Sequence, residues 1–393
     1  MPTGNPTCSV AGPDAARTRQ QALAADLPVR LTQAVAGMTA AGIDALVLTP
    51  GTSLRYLTGY DAMPSERLTA LVLPAVGEPF LLVPELERLG AMSSPAVRDG
   101  LELATWSETE NAAAVVRARL SGPADGTLTV GIDDTMQARH LLRLGEAMPG
   151  VRQVLAGRVL DALRLVKQPA ELAELRAAGA AIDRVHARVG RWLRPGRTER
   201  QVGADLAAAI AEEHAEVDFV IVGSGPNGAS PHHSLSDRVI ESGDPVVVDI
   251  GGVLASGYRS DCTRTYVVGT PHPEFVALYE VLQAAQAAGV AAVKTGVTAG
   301  SVDAITRAPI AAAGYGAAFP HRTGHGIGLD GHEPPWILDG NGTVLAPGMA
   351  FSVEPGIYLE GRFGARIEDI VLVTADGVEP VNTGTHDLVR LPA

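Results

Sequence analysis

Two cysteines, Cys8 and Cys262, are all that 393 residues offer. One possible pair cannot staple a fold, so a disulfide framework is excluded. Cys262 directly follows Asp261 in an apolar stretch and reads as a small buried thiol, which suits a reducing, cytoplasmic setting. Aromatics make up only 4% of the chain while hydrophobic residues reach 46%, so helices are expected to meet through small side chains. Positive charge is also short. Lys and Arg number 31 against 44 Asp and Glu, for a net charge of −13, and no basic cluster occurs. Phosphate binding needs such clusters, so no nucleic-acid partner is expected. No apolar run reaches the ~18–20 residues of a membrane helix, and residues 1–18 lack a basic segment leading into an apolar one. Neither a membrane partner nor a secretory signal is expected.

What is present divides into three stretches. Residues 1–27, with early Pro, Gly, Asn and Thr, read as a flexible extension. Residues 28–164 alternate helix-like and strand-like segments: a helix over 28–41 stopped by Gly42, then apolar runs at 44–49, 68–73, 80–83 and 128–132, and a helix over 136–147. This pattern predicts a mixed α/β domain without a catalytic constellation. Residues 165–393 begin with a long amphipathic helix running to about Leu193, with Glu171 and Glu174 complementing its dipole. A helix over 199–213, capped by Thr198, and three strands (219–222, 246–250, 264–268) follow. Helices over 273–293 and 301–313 and strands over 349–353 and 366–373 then repeat the plan. Two helices then strands, twice over, predicts an internally duplicated α+β domain with a site between its halves.

That second stretch carries the chemistry. Asp249 ends the apolar run "PVVVDIGG", and Asp261 opens its partner strand across a hairpin. A carboxylate there is costly unless paired or coordinated. In "HRTGHGIGLDGHEPP", three of the chain's ten histidines, His321, His325 and His332, fall among glycines with neither helical nor strand period. Such a stretch is poor core material and reads as a binding loop. Glu354 follows an apolar strand, and Glu368 interrupts another in "ARIEDIVLV", two residues after Arg366, with which it could pair. Four carboxylates and one imidazole suit a hard or borderline divalent ion such as Mn²⁺, with Co²⁺ or Zn²⁺ as alternatives. Their number matches a two-metal site.

The ordered motifs "VVVDIGG", "SDCTRTY", "HRTGHGIGLDGHEPP", "FSVEPGIY" and "GARIEDIVLV" resemble the pita-bread metallopeptidases: Xaa-Pro aminopeptidase, Xaa-Pro dipeptidase (prolidase) and methionine aminopeptidase. The resemblance implies an α+β fold, a pita-bread catalytic domain preceded by a creatinase-like N-terminal α/β domain. It also implies two divalent ions. Asp249 would chelate one, Asp261 and Glu368 would bridge both, and His325 and Glu354 would complete the second. Glu354 would further act as general base. His232, in "GASPHHSLSDR", would lie near the substrate and leaving group, with His233 incidental. His332 would bind at the scissile bond, Arg366 and Tyr358 would have supporting roles, and a homodimer is implied.

Two departures stand out. Asp249 and Asp261 stand twelve positions apart, one more than the family pattern, with the surplus in the hairpin "VLASGY". Dipeptidases of this kind carry an arginine four residues after the histidine of "HE", to hold the substrate's C-terminal carboxylate. Trp336 stands there instead. The leading expectation is therefore an Xaa-Pro aminopeptidase acting on peptides with proline second, with Trp336 as a wall of the substrate site. The alternative is an Xaa-Pro dipeptidase, and a metal-free creatinase-like hydrolase or noncatalytic binding protein is more distant.

Overall fold

The computed structural model describes residues 13–121 and 127–393. Cys8 and the first twelve residues of the expected extension lie outside them. The remainder of that extension is not irregular: Pro13–Ala25 forms helix α1, with Asp14 in its first turn. Ala, Gln and Arg dominate this segment and are strong helix formers, so propensity alone supports it without an apolar stripe. Helix α2, Leu27–Ala41, follows and stops at Gly42, whose φ of 65° is open to glycine without steric cost.

The chain divides into two compact units, Met1–Arg164 and Leu165–Ala393. In the first, strands β1 (Ala45–Leu48), β2 (Ala70–Pro74), β3 (Phe80–Pro84), β4 (Glu102–Trp106), β5 (Thr129–Ile132) and β6 (Arg152–Leu155) form one mixed sheet in the order β4-β3-β2-β1-β5-β6. Strand β1 runs antiparallel to β2 and parallel to β5. Every residue of β1, β2 and β3 is buried. Burial on both faces explains why these strands read as unbroken apolar runs and not as alternating ones.

The second unit opens with α3 (Pro169–His186), started by Pro169 and a capping box between Gln168 and Glu171. It is shorter than expected. Val189 and Leu193 stay buried, but from a tight 3₁₀ turn at Val189–Arg191, so apolar spacing continues after the helix has ended. Helix α4 (Glu199–Glu213) has Thr198 as its cap, accepting from the backbone N–H of Gln201. Strands β7 (Glu216–Ser224), β8 (Pro245–Val253) and β9 (Arg259–Val268) complete the first half.

The plan then repeats with helices α5 (Pro273–Ala292) and α6 (Ala299–Ala312). After them come β10 (Gly324–Gly326), β11 (Glu333–Ile337), β12 (Ala350–Val353), β13 (Gly356–Leu359), β14 (Phe363–Arg366), β15 (Asp369–Val373), β16 (Val378–Pro380) and β17 (Val389–Leu391). Two sheets carry the halves, in the orders β17-β9-β8-β7 and β11-β10-β12-β15-β16, with β13-β14 as a separate hairpin. By length and composition α5 could span a membrane, which the sequence reading did not anticipate. Its Glu274 and Glu280 are diluted among Ala and Val, while Phe275, Leu278, Tyr279 and Leu282 are buried in a core cluster.

Candidate metal centre

Strands β8 and β9 extend beyond the expected runs, so Asp249 and Asp261 lie inside the ladder instead of at its ends. Asp249 pairs with Thr263 and Gly251 with Asp261. Because alternate residues of a strand share a face, this register projects both carboxylates from one face of the hairpin. Gly251 and Gly252 let the strands continue under a close roof. A Cβ on Gly251 would sit 2.4 Å from the Phe219 ring, and one on Gly252 2.6 Å from the His214 ring.

The other half supplies His325, Glu354 and Glu368. The stretch read as a loop contains strand β10, held between β11 and β12. A Cβ on Gly324 would lie 1.8 Å from Ser352 O, and one on Gly326 2.2 Å from Pro334 O. Only glycine fits beside His325, and glycine shows no hydrophobic period. Glu354 directly follows β12, and Glu368 lies between β14 and β15, so the expected single strand over 366–373 is two.

These side chains converge. Ligand atoms of Asp249, Asp261 and Glu368 lie within 4.8 Å of one another, as do those of His325, Glu354 and Glu368, and those of Asp261, His325 and His332. His325 Nδ1 donates to Gly326 O at 3.1 Å, which leaves Nε2 facing Glu354 Oε1 at 3.2 Å and Asp261 Oδ2 at 3.8 Å. That is the tautomer and aim a metal-ligating imidazole needs. Burial, then the fields of neighbouring carboxylates, pushes Asp261 and Glu368 well above the usual carboxylate range. Burial raises Asp249 too, against the field of Arg366. Glu354 is half-buried, and only where His325 is protonated do its hydrogen bond and charge outweigh that burial and hold Glu354 at about 2.

Two buried oxygens of the cluster, Asp249 Oδ1 and Glu368 Oε1, have no hydrogen-bond partner. An acceptor buried without a donor is costly, and a divalent cation would satisfy both. The donor set therefore fits metal ions, rich in carboxylate oxygen with imidazole nitrogen beside it.

Arg366 does not pair with Glu368. Its Nη2 donates to Asp249 Oδ2 at 2.6 Å, its Nη1 to the Tyr358 hydroxyl at 2.8 Å, and its Nε to Thr263 Oγ1 at 3.1 Å. Thr263 in turn donates to Glu368 Oε2 at 2.7 Å. His321 Nδ1 donates to Arg322 O, so its Nε2 accepts from Tyr358 at 2.9 Å. Tyr358, given a supporting role beside Arg366, is buried between Arg366 and His321.

A cavity of about 810 Å³ opens over the cluster. All five expected ligands line it, together with His232, His332 and Arg366, whereas Tyr358 and Trp336 are not among the lining residues. His332 stacks edgewise on His325 with ring centroids 4.0 Å apart. Desolvation, His325 and Arg322 lower it to about 4, so the ring is neutral. His321 and Arg322 also line the cavity and were assigned no role from sequence, although they open the same histidine-rich motif. His233, read as incidental, is 2.7 Å from the buried carboxylate of Glu199.

Residues 173–375 match the description "Metallopeptidase family M24". The chain belongs to metallopeptidase family M24. Residues 30–166 match "Creatinase/Prolidase N-terminal domain", so this M24 chain joins a creatinase-like N-terminal domain to a pita-bread domain. It is 53% identical over 364 residues to the probable dipeptidase PepE of Mycobacterium tuberculosis, covering 92% of this chain and 96% of that one. It is 36% identical over 344 residues to an Xaa-Pro dipeptidase of Lactobacillus helveticus, covering 86% and 93%. The crystal structure of dipeptidase PepE from Mycobacterium ulcerans superposes with a TM-score of 0.89 at 51% identity, covering 94% and 99%. Family membership implies divalent metal, in keeping with the cluster. The relatives' names back the dipeptidase alternative over the aminopeptidase expectation.

Proposed function

We propose that this M24 peptidase is a two-metal dipeptidase hydrolysing Xaa-Pro dipeptides. The observation that carries the reading is the convergence of Asp249, Asp261, His325, Glu354 and Glu368, with two buried carboxylate oxygens lacking any donor. Relatives named as dipeptidases, matched over nearly their whole length, support the substrate class.

Asp249, Asp261 and Glu368 would hold one ion, and His325, Glu354 and Glu368 the other, with Mn²⁺ favoured by the oxygen-rich set and Co²⁺ or Zn²⁺ as alternatives. Bound ions would supply Lewis acidity and a water acidified toward neutral pH. Glu354, aligned by the Ser352 hydroxyl at 3.1 Å, is the carboxylate placed to take a proton from the attacking water. The same carboxyl can deliver that proton to the leaving proline nitrogen. His332, neutral and beside His325, can donate an N–H to the carbonyl oxygen as charge develops. His232 lines the same cavity, where it can contact the substrate. A cavity of about 810 Å³ accommodates a dipeptide. The buried thiol of Cys262 suits a reducing compartment, so the cytoplasm is the proposed location.

The test is a mass-spectrometric screen of Xaa-Pro, Xaa-Pro-Yaa and non-proline dipeptides with Mn²⁺, Co²⁺ or Zn²⁺. Cleavage concentrated on Xaa-Pro dipeptides, abolished by chelation, is expected. Cleavage mainly of longer peptides would return the aminopeptidase reading.

A further inference from the structure

We propose that Arg322, held against the face of Trp336, binds the C-terminal carboxylate of the dipeptide and so sets the length of substrate the site accepts. The inference rests on the dipeptidase reading above.

A dipeptide differs from the start of a longer peptide by one anion, a fixed distance from the scissile bond. A site that selects dipeptides needs a cation there. Two arginines line the cavity. Arg366 is committed: its guanidinium donates to Asp249, Tyr358, Thr263 and the carbonyl of Pro231. Arg322 is not. Among the described residues its guanidinium has neither a hydrogen bond nor an ion pair, and its carbon lies 4.4 Å above the Trp336 ring.

Stacking constrains the face of a guanidinium and leaves its N–H edge open, the geometry that grips a carboxylate with two parallel hydrogen bonds. Both partners are fixed. Trp336 pairs with His325 across β10 and β11, so the platform is registered to a ligand of the metal centre. Arg322 lies between His321, whose ring is tied to Tyr358, and Thr323, whose N–H donates to Asp303 Oδ1 at 3.1 Å. The tryptophan that displaces the expected arginine thus carries a different arginine over the same strand.

The test compares Ala-Pro, its amide Ala-Pro-NH₂ and Ala-Pro-Ala on metal-loaded, full-length enzyme. Hydrogen bonds to a charged group predict that wild type favours the acid over the amide by on the order of 10- to 100-fold in kcat/KM, mainly through KM. Arg322→Met should collapse that ratio to within about threefold by raising KM for Ala-Pro, and Arg322→Lys should restore part of it. A variant that loses acid and amide alike, or keeps the wild-type ratio, overturns the assignment while the dipeptidase reading stands. Wild type that cleaves Ala-Pro-Ala but not Ala-Pro overturns both.

Discussion

Arg366 Nη2 meets Asp249 Oδ2 at 2.6 Å, with both side chains buried. This pair leaves the other Asp249 oxygen, Oδ1, buried without a donor. One arginine therefore decides which oxygen of Asp249 is free for a cation. Removing one partner of a buried pair costs about 3–5 kcal/mol because the other charge is stranded. Arg366→Met should destabilise the metal-free protein by that amount, and added Mn²⁺ should recover part of the loss. Thermal unfolding with and without metal checks this. Equal stability of the two metal-free proteins would show that the pair contributes nothing.

The raised carboxylates predict a proton count. Without a cation, Asp261 and Glu368 lie well above the usual carboxylate range, through burial and then mutual repulsion within the cluster. Groups whose pKa is raised keep their protons to higher pH than an ordinary carboxyl, and a metal ion must displace any proton still held. Filling the site should release protons, more of them the lower the pH, and metal affinity should fall as pH falls. Calorimetric titration in two buffers of different ionisation heat measures the count. Metal uptake without proton release would contradict the assigned ligands.

Much of this site was legible in sequence because each carboxylate sits at the end of a strand-like run or, for Glu368, within one, where an unpaired charge is expensive. Thr198 was legible for the same kind of local reason, a cap directly ahead of a helix. What was missed depends on partners far along the chain. Strand β10 shows no period because two of its three residues are glycine. Spacing made Glu368 a candidate partner for Arg366, yet the partner is Asp249, 117 residues away. Arg322 and Trp336 are separated by a strand and a turn, so nothing local announces that one covers the other. Glu199 was read only as the first residue of a helix, and it is fully buried.

The role given to Glu354 makes a kinetic prediction. A positioned general base is worth about 10²–10⁴-fold. Glu354→Gln keeps shape and an oxygen for Ser352 but cannot take a proton. Its kcat for Ala-Pro should fall by that factor, with KM within about threefold, in protein whose metal content is verified by elemental analysis. Activity within tenfold of wild type would remove Glu354 from proton transfer.

Glu199 connects fold stability to the loop that carries His232. Its carboxylate accepts from the Ser224 backbone and hydroxyl at 2.8 and 2.7 Å, from Ser236 at 2.5 Å and from His233 at 2.7 Å. Arg366 holds the same loop from the other side through Pro231 O. Burial opposes the charge on Glu199, but the bonds from Ser236, Ser224 and His233 prevail and lower its pKa below 4.5. A carboxylate whose folded pKa is depressed stabilises the fold fully above its unfolded value. That contribution is lost as pH falls through the folded one. Glu199→Gln, which gives up the charge, should therefore cost about 2–3 kcal/mol at pH 7. The deficit should shrink below pH 4.5 as wild type also becomes protonated. Chemical denaturation of both proteins between pH 3 and 8 reads the difference directly. If the loop depends on this carboxylate, kcat/KM for Ala-Pro falls in the same variant at pH 7, where its fold is still intact. A stability gap that stays constant down to pH 3 would mean that the charge on Glu199 is not what the hydroxyls and His233 are holding.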